Sequence, residues 1–110
     1  MACNNLAWLL ATTPHPAIRD PQRALELATR AAKITAGAGG EPRVLDTLAA
    51  AYAACGQFSQ AVEVGKVAIV KARAVRFPLR FVSMLETRLK LYQSGSAYLS
   101  AVNTGQGAPR

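Results

Sequence analysis

The chain carries one helical pattern twice. NNLAWLLAT followed by DPQRALELATRAAKI matches DTLAAAYAACGQFSQAVEVGKVAI: Leu6-Ala7 falls on Leu48-Ala49, Leu10 on Tyr52, Ala24-Leu25 on Ala61-Val62, and Ala31 on Ala68. A repeated two-helix unit cannot bury its apolar face alone, so the copies must stack. Many of the recurring residues are alanine, which lets two helix backbones approach where a larger side chain would hold them apart. Aromatics make up only 6% of the 110 residues, so small residues have to build the core.

Apolar spacing and breakers predict the helices. Residues 2–12 carry Leu6, Trp8, Leu9 and Leu10 at helical spacing, and Thr12-Thr13-Pro14-His15-Pro16 stops them, because proline disfavours helix in the residue before it. Asp20-Pro21 opens a second helix, with the Asp as cap and the Pro in the first turn. Its stripe is Ala24, Leu27, Ala28, Ala31 and Ile34, and Ala36-Gly37-Ala38-Gly39-Gly40 ends it. A third helix runs from near Pro42 to about Ala54 on Leu45, Leu48, Ala49 and Tyr52, with Gly56 at the positive-φ position of a tight turn. The fourth opens near Ser59 behind Phe58, carries Ala61, Val62, Val64, Ala68, Ile69 and Ala72, and fades near Arg76. Pro78 opens a fifth, which reaches about Gln93 with Leu79, Val82, Leu85, Leu89 and Tyr92 close to one face. The expected fold is all-α. Repeat one spans about 2–36, repeat two about 42–75 and a closing helix about 78–93, in a domain of residues 1–95. Residues 96–110 read as a flexible tail in which Tyr98, Leu99 and Val102 are candidates to dock.

The second unit resembles a tetratricopeptide repeat, a pattern of about 34 residues. The residues that carry the resemblance are Leu45, Leu48-Ala49, Tyr52, Gly56, Phe58, Ala61 and Ala68; the closing proline is absent, with Arg73 in its place. The first unit is a divergent copy whose turn is lengthened to TTPHPAIRD, and with a last helix ending LYQSG the whole looks like the C-terminal end of bacterial tetratricopeptide proteins over about residues 3–95. The resemblance implies an α-α superhelix whose first, third and fifth helices line a concave groove, and a scaffold or adaptor that binds a peptide or protein segment there. The groove contacts it implies are Asn4, Trp8, Arg43 and Asp46. Some members grip a terminal carboxylate with a Lys/Asn/Arg set. Asn4 or Asn5 fits that set, but the second repeat offers Asp46 and Thr47, so the grip is only partly present. Trp8 has two readings, an anchor for a partner or a structural ring that packs under the Pro-rich loop against Pro14 or Pro16 or fills the face that lacks a neighbour, and the second is favoured. The chain opens inside the first helix of a repeat, so a second copy or a longer repeat array is expected to cover that face.

Phe77, Phe81, Met84 and Leu91 lie partly off the main stripe of the last helix and form the candidate self-association set, as a homodimer. Thirteen Lys+Arg against 6 Asp+Glu give a net charge of +7. The positive residues gather late, at Lys66, Lys71, Arg73, Arg76, Arg80, Arg88 and Lys90, with Glu86 among them. The rival function is therefore a basic accessory protein that contacts nucleic acid or another polyanion through this set, although no aromatic residues interleave it. No catalytic constellation is evident, and no cofactor or metal is expected: AGAGG lacks the Lys-Ser/Thr of a phosphate loop, and Cys3, Cys55 and His15 have no metal-ligand spacing. His15 reads as an exposed loop residue and Cys55 as a small packing residue. No apolar run reaches the roughly 18 residues of a membrane span, and the N-terminus lacks the basic region of an export signal, so the expected compartment is the cytoplasm.

Overall fold

The computed structural model describes residues 2–36 and 40–99. Those residues form five helices and no strand: α1 (Ala2–Thr12), α2 (Pro21–Thr35), α3 (Pro42–Ala54), α4 (Phe58–Ala74) and α5 (Leu79–Gln93). Each helix packs on the next along the chain, and α1 also packs on α3. The result is two antiparallel hairpins, α1–α2 and α3–α4, with α5 laid against α4.

Local chemistry sets the helix ends. The Asp20 carboxylate accepts from the Arg23 N–H at 3.2 Å, and Glu41 accepts from the Arg43 N–H at 2.5 Å. Each of these caps precedes a proline in the first turn, where a missing N–H costs nothing. Arg19 stitches the long Pro-rich turn back onto α1: its guanidinium donates to the Ala11 carbonyl at 2.6 Å and to the Thr13 carbonyl at 3.4 Å. A cation on the last carbonyls of a helix also suits the helix dipole.

Helices α3, α4 and α5 end in the same hydrogen-bonded motif. Gln57 donates to the Tyr52 carbonyl, Phe77 to Ala72 and Ser96 to Leu91, each across one left-handed residue. In α3 and α5 that residue is glycine, Gly56 (φ 78) and Gly95 (φ 80), but in α4 it is Arg76 at φ 58. A side chain in this conformation costs about 1–2 kcal/mol. Because the Arg76 side chain is exposed, Arg76→Gly is expected to stabilise the fold by about 0.5–1 kcal/mol, read as a higher urea midpoint.

The core is made of crossings lined by alanine. Ala7 and Ala11 of α1, Ala24 and Ala28 of α2, and Ala50 and Ala51 of α3 meet around Leu27. Farther along the stack, Ala68, Ile69 and Ala72 of α4 meet Val82 and Leu85 of α5. Ala49, Ala53 and Ala61 enclose Tyr92. The sequence assigns α3 one apolar stripe, but the structure buries Val44, Asp46, Thr47, Ala49, Ala50, Ala51 and Ala53 and leaves Leu45, Leu48 and Tyr52 half-buried. The physical reason is position: α1, α2 and α4 all pack on α3, so it is enclosed on several sides. Two residues of the α2 and α5 stripes fall outside the core, as do Leu6 and Leu9 of α1. Ile34, in the last turn of α2, is 67% exposed, and Leu79, at the start of α5, is 83% exposed, because both lie past the crossings that bury their stripes. Of the tail residues that the sequence names as candidates to dock, Tyr98 packs against the helices together with Ala97, while Leu99 is exposed. Val102 and residues 100–110 lie outside the described residues.

Candidate functional site

The odd-numbered helices present a shared face. α1 contributes Asn4, Asn5 and Trp8, α3 contributes Arg43, Asp46 and Thr47, and α5 contributes Phe81, Met84 and Arg88 to the lining of one cleft of about 230 Å³. Offsets of three, four and seven residues bring these side chains together, because such positions lie above one another on a helix. All four groove residues expected from the sequence, Asn4, Trp8, Arg43 and Asp46, line this cleft. A second hollow of about 500 Å³, lined by Arg80, Ser83, Met84, Thr87, Arg88 and Tyr98, shares Met84 and Arg88 with the first.

The floor of the cleft is a buried ion pair. Arg88 donates to Asp46 Oδ2 at 2.5 Å, with the two residues 6% and 7% exposed. The sequence treats Asp46 as a free groove contact and Arg88 as part of the exposed basic set. Both are corrected here: each charge is turned inward and used on the other. Asp46 shares its helical stripe with Ala49, Ala50 and Ala53, all buried, and Arg88 lies between Leu85 and Tyr92 on the buried stripe of α5. Burial pushes the Asp46 carboxyl up to about 6, and the Arg88 guanidinium offsets only part of that rise. Between its ordinary value near 3.8 and about 6, the folded chain therefore keeps a proton that the unfolded chain has released. Stability falls as pH rises through this window. The full loss across the window is expected to be about 3 kcal/mol, of which about 1 kcal/mol falls between pH 5 and pH 7, read as the difference in urea midpoints. Asp46→Asn should flatten that difference.

Aromatic rings hold the guanidinium groups of the cleft. The Arg88 guanidinium carbon is 4.7 Å from the centroids of both Trp8 and Tyr98, whose rings lie 5.7 Å apart at 35°. Arg43 lies 4.9 Å from the Phe77 ring and 5.6 Å from Phe81. Such stacks orient a planar cation while leaving N–H groups at its edge to donate. Trp8 therefore faces the cleft as part of a cation–aromatic cluster, where the sequence favours a ring packed under the Pro-rich loop. Arg43 keeps most of its side chain exposed, with Glu41 at 3.9 Å; an exposed pair of this kind holds it only loosely. Asn4 Oδ1 is enclosed and accepts no hydrogen bond within the described residues. A buried acceptor in that state favours any ligand that brings an N–H to it. Thr47, by contrast, satisfies its own hydroxyl on the Arg43 carbonyl at 3.0 Å.

The structure separates the other candidate sets. Phe77 and Phe81 are half-buried against Ala68, Ile69, Ala72, Val82 and Leu85. Leu91 packs around Tyr92 in the opposite half of α5. Of the proposed self-association residues, Met84 alone is exposed. The physical reason is that α5 is wrapped by α4 on one side and the cleft on the other, so its second apolar face is already used. In the basic set, Lys66, Arg73, Arg76 and Arg80 are exposed and Lys71 is half-buried. Arg73 is taken by an ion pair with Glu86. Arg73 and Arg76 line one hollow and Arg80 an adjoining one, the two sharing Ser83.

Tyr98, which lines the adjoining hollow, is the residue that sequence reading places only loosely, as a candidate to dock; its apolar neighbours in a polar stretch gave no direction to its ring. Cys3 and Cys55 are free thiols, and the Cys55 thiol donates to the Pro21 carbonyl at 3.3 Å, with burial pushing its pKa up. Among the described residues no group of three or more His, Cys, Asp or Glu is placed to hold a metal ion, and no helix is long and apolar enough to cross a membrane. Comparison with family models, curated proteins and solved structures finds no match to this chain.

Proposed function

We propose that this chain is a protein-interaction module of the tetratricopeptide type that takes an extended segment of a partner into the cleft of α1, α3 and α5. The observation that carries the reading is the convergence of Asn4, Trp8 and Arg43 on one cleft over the Asp46–Arg88 pair. An extended segment has unpaired backbone N–H and C=O groups. The Asn4 oxygen suits the former, and the guanidinium edges of Arg43 and Arg88 suit the latter or a carboxylate. Aromatic and Arg side chains in a concave, partly desolvated site are the residue types that dominate binding energy at interfaces. In this reading the module has no catalytic role and works in the cytoplasm, where two free thiols are at home. Self-association would use the exposed Leu6 and Leu9 of α1 rather than α5.

The test is selection of a phage-displayed random peptide library on the full chain, followed by affinity measurement on variants. Selected peptides are expected to lose at least tenfold in affinity on Arg43→Ala and on Asn4→Ala, both partly exposed positions whose loss spares the core. Failure to enrich any peptide, or equal affinity for the variants, contradicts the reading. A polyanion function through Lys66, Lys71, Arg73, Arg76 and Arg80 would show itself differently, as nucleic-acid binding that collapses between low and physiological salt.

A further inference from the structure

We propose that the cleft recognises an aromatic side chain, and that the chain's own Tyr98 occupies that seat until a partner's aromatic residue displaces it. This deepens the peptide-binding reading and rests on it.

The seat itself is built on helices. Trp8 comes from α1, and Arg88 comes from α5, where Asp46 of α3 fixes its guanidinium at 2.5 Å. Tyr98 arrives differently. Helix α5 ends at Gln93 with Ser94 as its cap, Gly95 turns the chain at φ 80, and Ser96 donates to the Leu91 carbonyl at 2.9 Å. That is the last backbone hydrogen bond along the chain among the described residues. Beyond it, side-chain contacts hold the segment: Ala97 and Tyr98 pack near Tyr92, and the Tyr98 ring lies against Trp8 and the Arg88 guanidinium. A ring seated on a fixed cation by a short, weakly tethered segment can be exchanged for another ring without unfolding a helix.

The partner's chemistry follows from the seat. A guanidinium face next to an indole accepts tyrosine, phenylalanine or tryptophan. The adjoining hollow continues past Met84 and Thr87 to the exposed Arg80, so the segment that fits carries an aromatic residue with an acidic neighbour. Tethering raises the local concentration of Tyr98 to the millimolar range for a short linker, and a competing segment is weakened by the fraction of time the seat is taken.

The experiment uses the full chain, its Tyr98→Ala and Tyr98→Phe variants, and a capped peptide of residues 94–99 with its Tyr98→Ala analogue. Trp8 is the single tryptophan, so its fluorescence reports the seat directly. Tyr98→Ala is expected to change Trp8 emission while far-UV circular dichroism stays that of wild type, and Tyr98→Phe to leave emission near wild type. The peptide should bind Tyr98→Ala saturably, return the emission towards wild type, and bind the wild-type chain at least tenfold more weakly. The alanine analogue should do neither. Equal binding of the peptide to wild type and Tyr98→Ala, or binding to neither, overturns the proposal. Library-selected peptides that bind wild type and Tyr98→Ala alike would overturn it while leaving peptide binding standing. Failure to select any peptide would instead remove the underlying reading.

Discussion

Arg88→Ala is expected to lower the stability of the fold by about 3–5 kcal/mol at pH 7, because it leaves the buried Asp46 carboxylate without a partner. Small domains are stable by only about 5–15 kcal/mol, so the variant should sit close to its unfolding threshold. The loss has two sources. One is the unpaired charge, in a site where both residues are under 9% exposed. The other is the stack on Trp8 and Tyr98, which disappears with the guanidinium. The first source depends on pH. Below about pH 6 Asp46 is protonated in the folded chain, so the same substitution should cost less at pH 5 than at pH 7. Replacing both partners together, as Asp46→Leu with Arg88→Met, removes the charges instead of orphaning one, and is expected to cost far less than Arg88→Ala alone. Urea unfolding of wild type, Arg88→Ala and the double variant at pH 5 and pH 7, followed by far-UV circular dichroism, checks all of these results. A small effect of Arg88→Ala at both pH values would show that the pair is not the floor of the cleft.

Tyr92→Ala is the second large effect, at about 3–5 kcal/mol. Tyr92 is 2% exposed and is the largest side chain sealed in the core. It fills the space left by Ala49, Ala53 and Ala61, which are too small to close on one another. Truncation would open a cavity that rigid helices cannot collapse around. The hydroxyl contributes in the other direction: it is buried, has no hydrogen-bond partner within the described residues, and burial pushes its pKa up. Tyr92→Phe should therefore be neutral or stabilising by up to about 1 kcal/mol. The two substitutions at one position separate ring volume from hydroxyl, and a Phe variant as unstable as the Ala variant would mean that the hydroxyl is bonded after all.

These two residues also show what can be read without the structure. Tyr92 falls on the apolar stripe of the last helix, and its burial follows from period alone. Arg88 falls on the same stripe, between Leu85 and Tyr92, yet its charge made it look like one more member of a solvated basic face. A charged residue at a buried register position is a legible signal, and so is Asp46 on the stripe of Ala49, Ala50 and Ala53. What cannot be read from one helix at a time is that the two signals answer each other across 42 positions. The helices, their order and most of their ends were legible because caps, prolines and glycines act over a few residues. Four residues of the cleft, Asn4, Trp8, Arg43 and Asp46, were named through the resemblance of the repeats to tetratricopeptide units, which implies a groove on that side of the stack. Their roles were not legible, because the stacking of Arg43 on Phe77 and Phe81 and of Arg88 on Trp8 depends on distances between helices. The wide burial of α3 and the exposure of Ile34 and Leu79 have the same origin: neighbours, not period, decide how much of a helix is covered.

The most direct test of the account is to map where a library-selected peptide touches the chain, by titrating it into isotope-labelled protein and following amide and indole resonances by nuclear magnetic resonance. The account predicts that the largest shifts fall on Asn4, Trp8, Arg43 and the α5 residues from Phe81 to Arg88, with the outward face of α2 unmoved. Shifts concentrated instead around Lys66, Lys71 and Arg73, or on the outer face of α2 and α4, would contradict it.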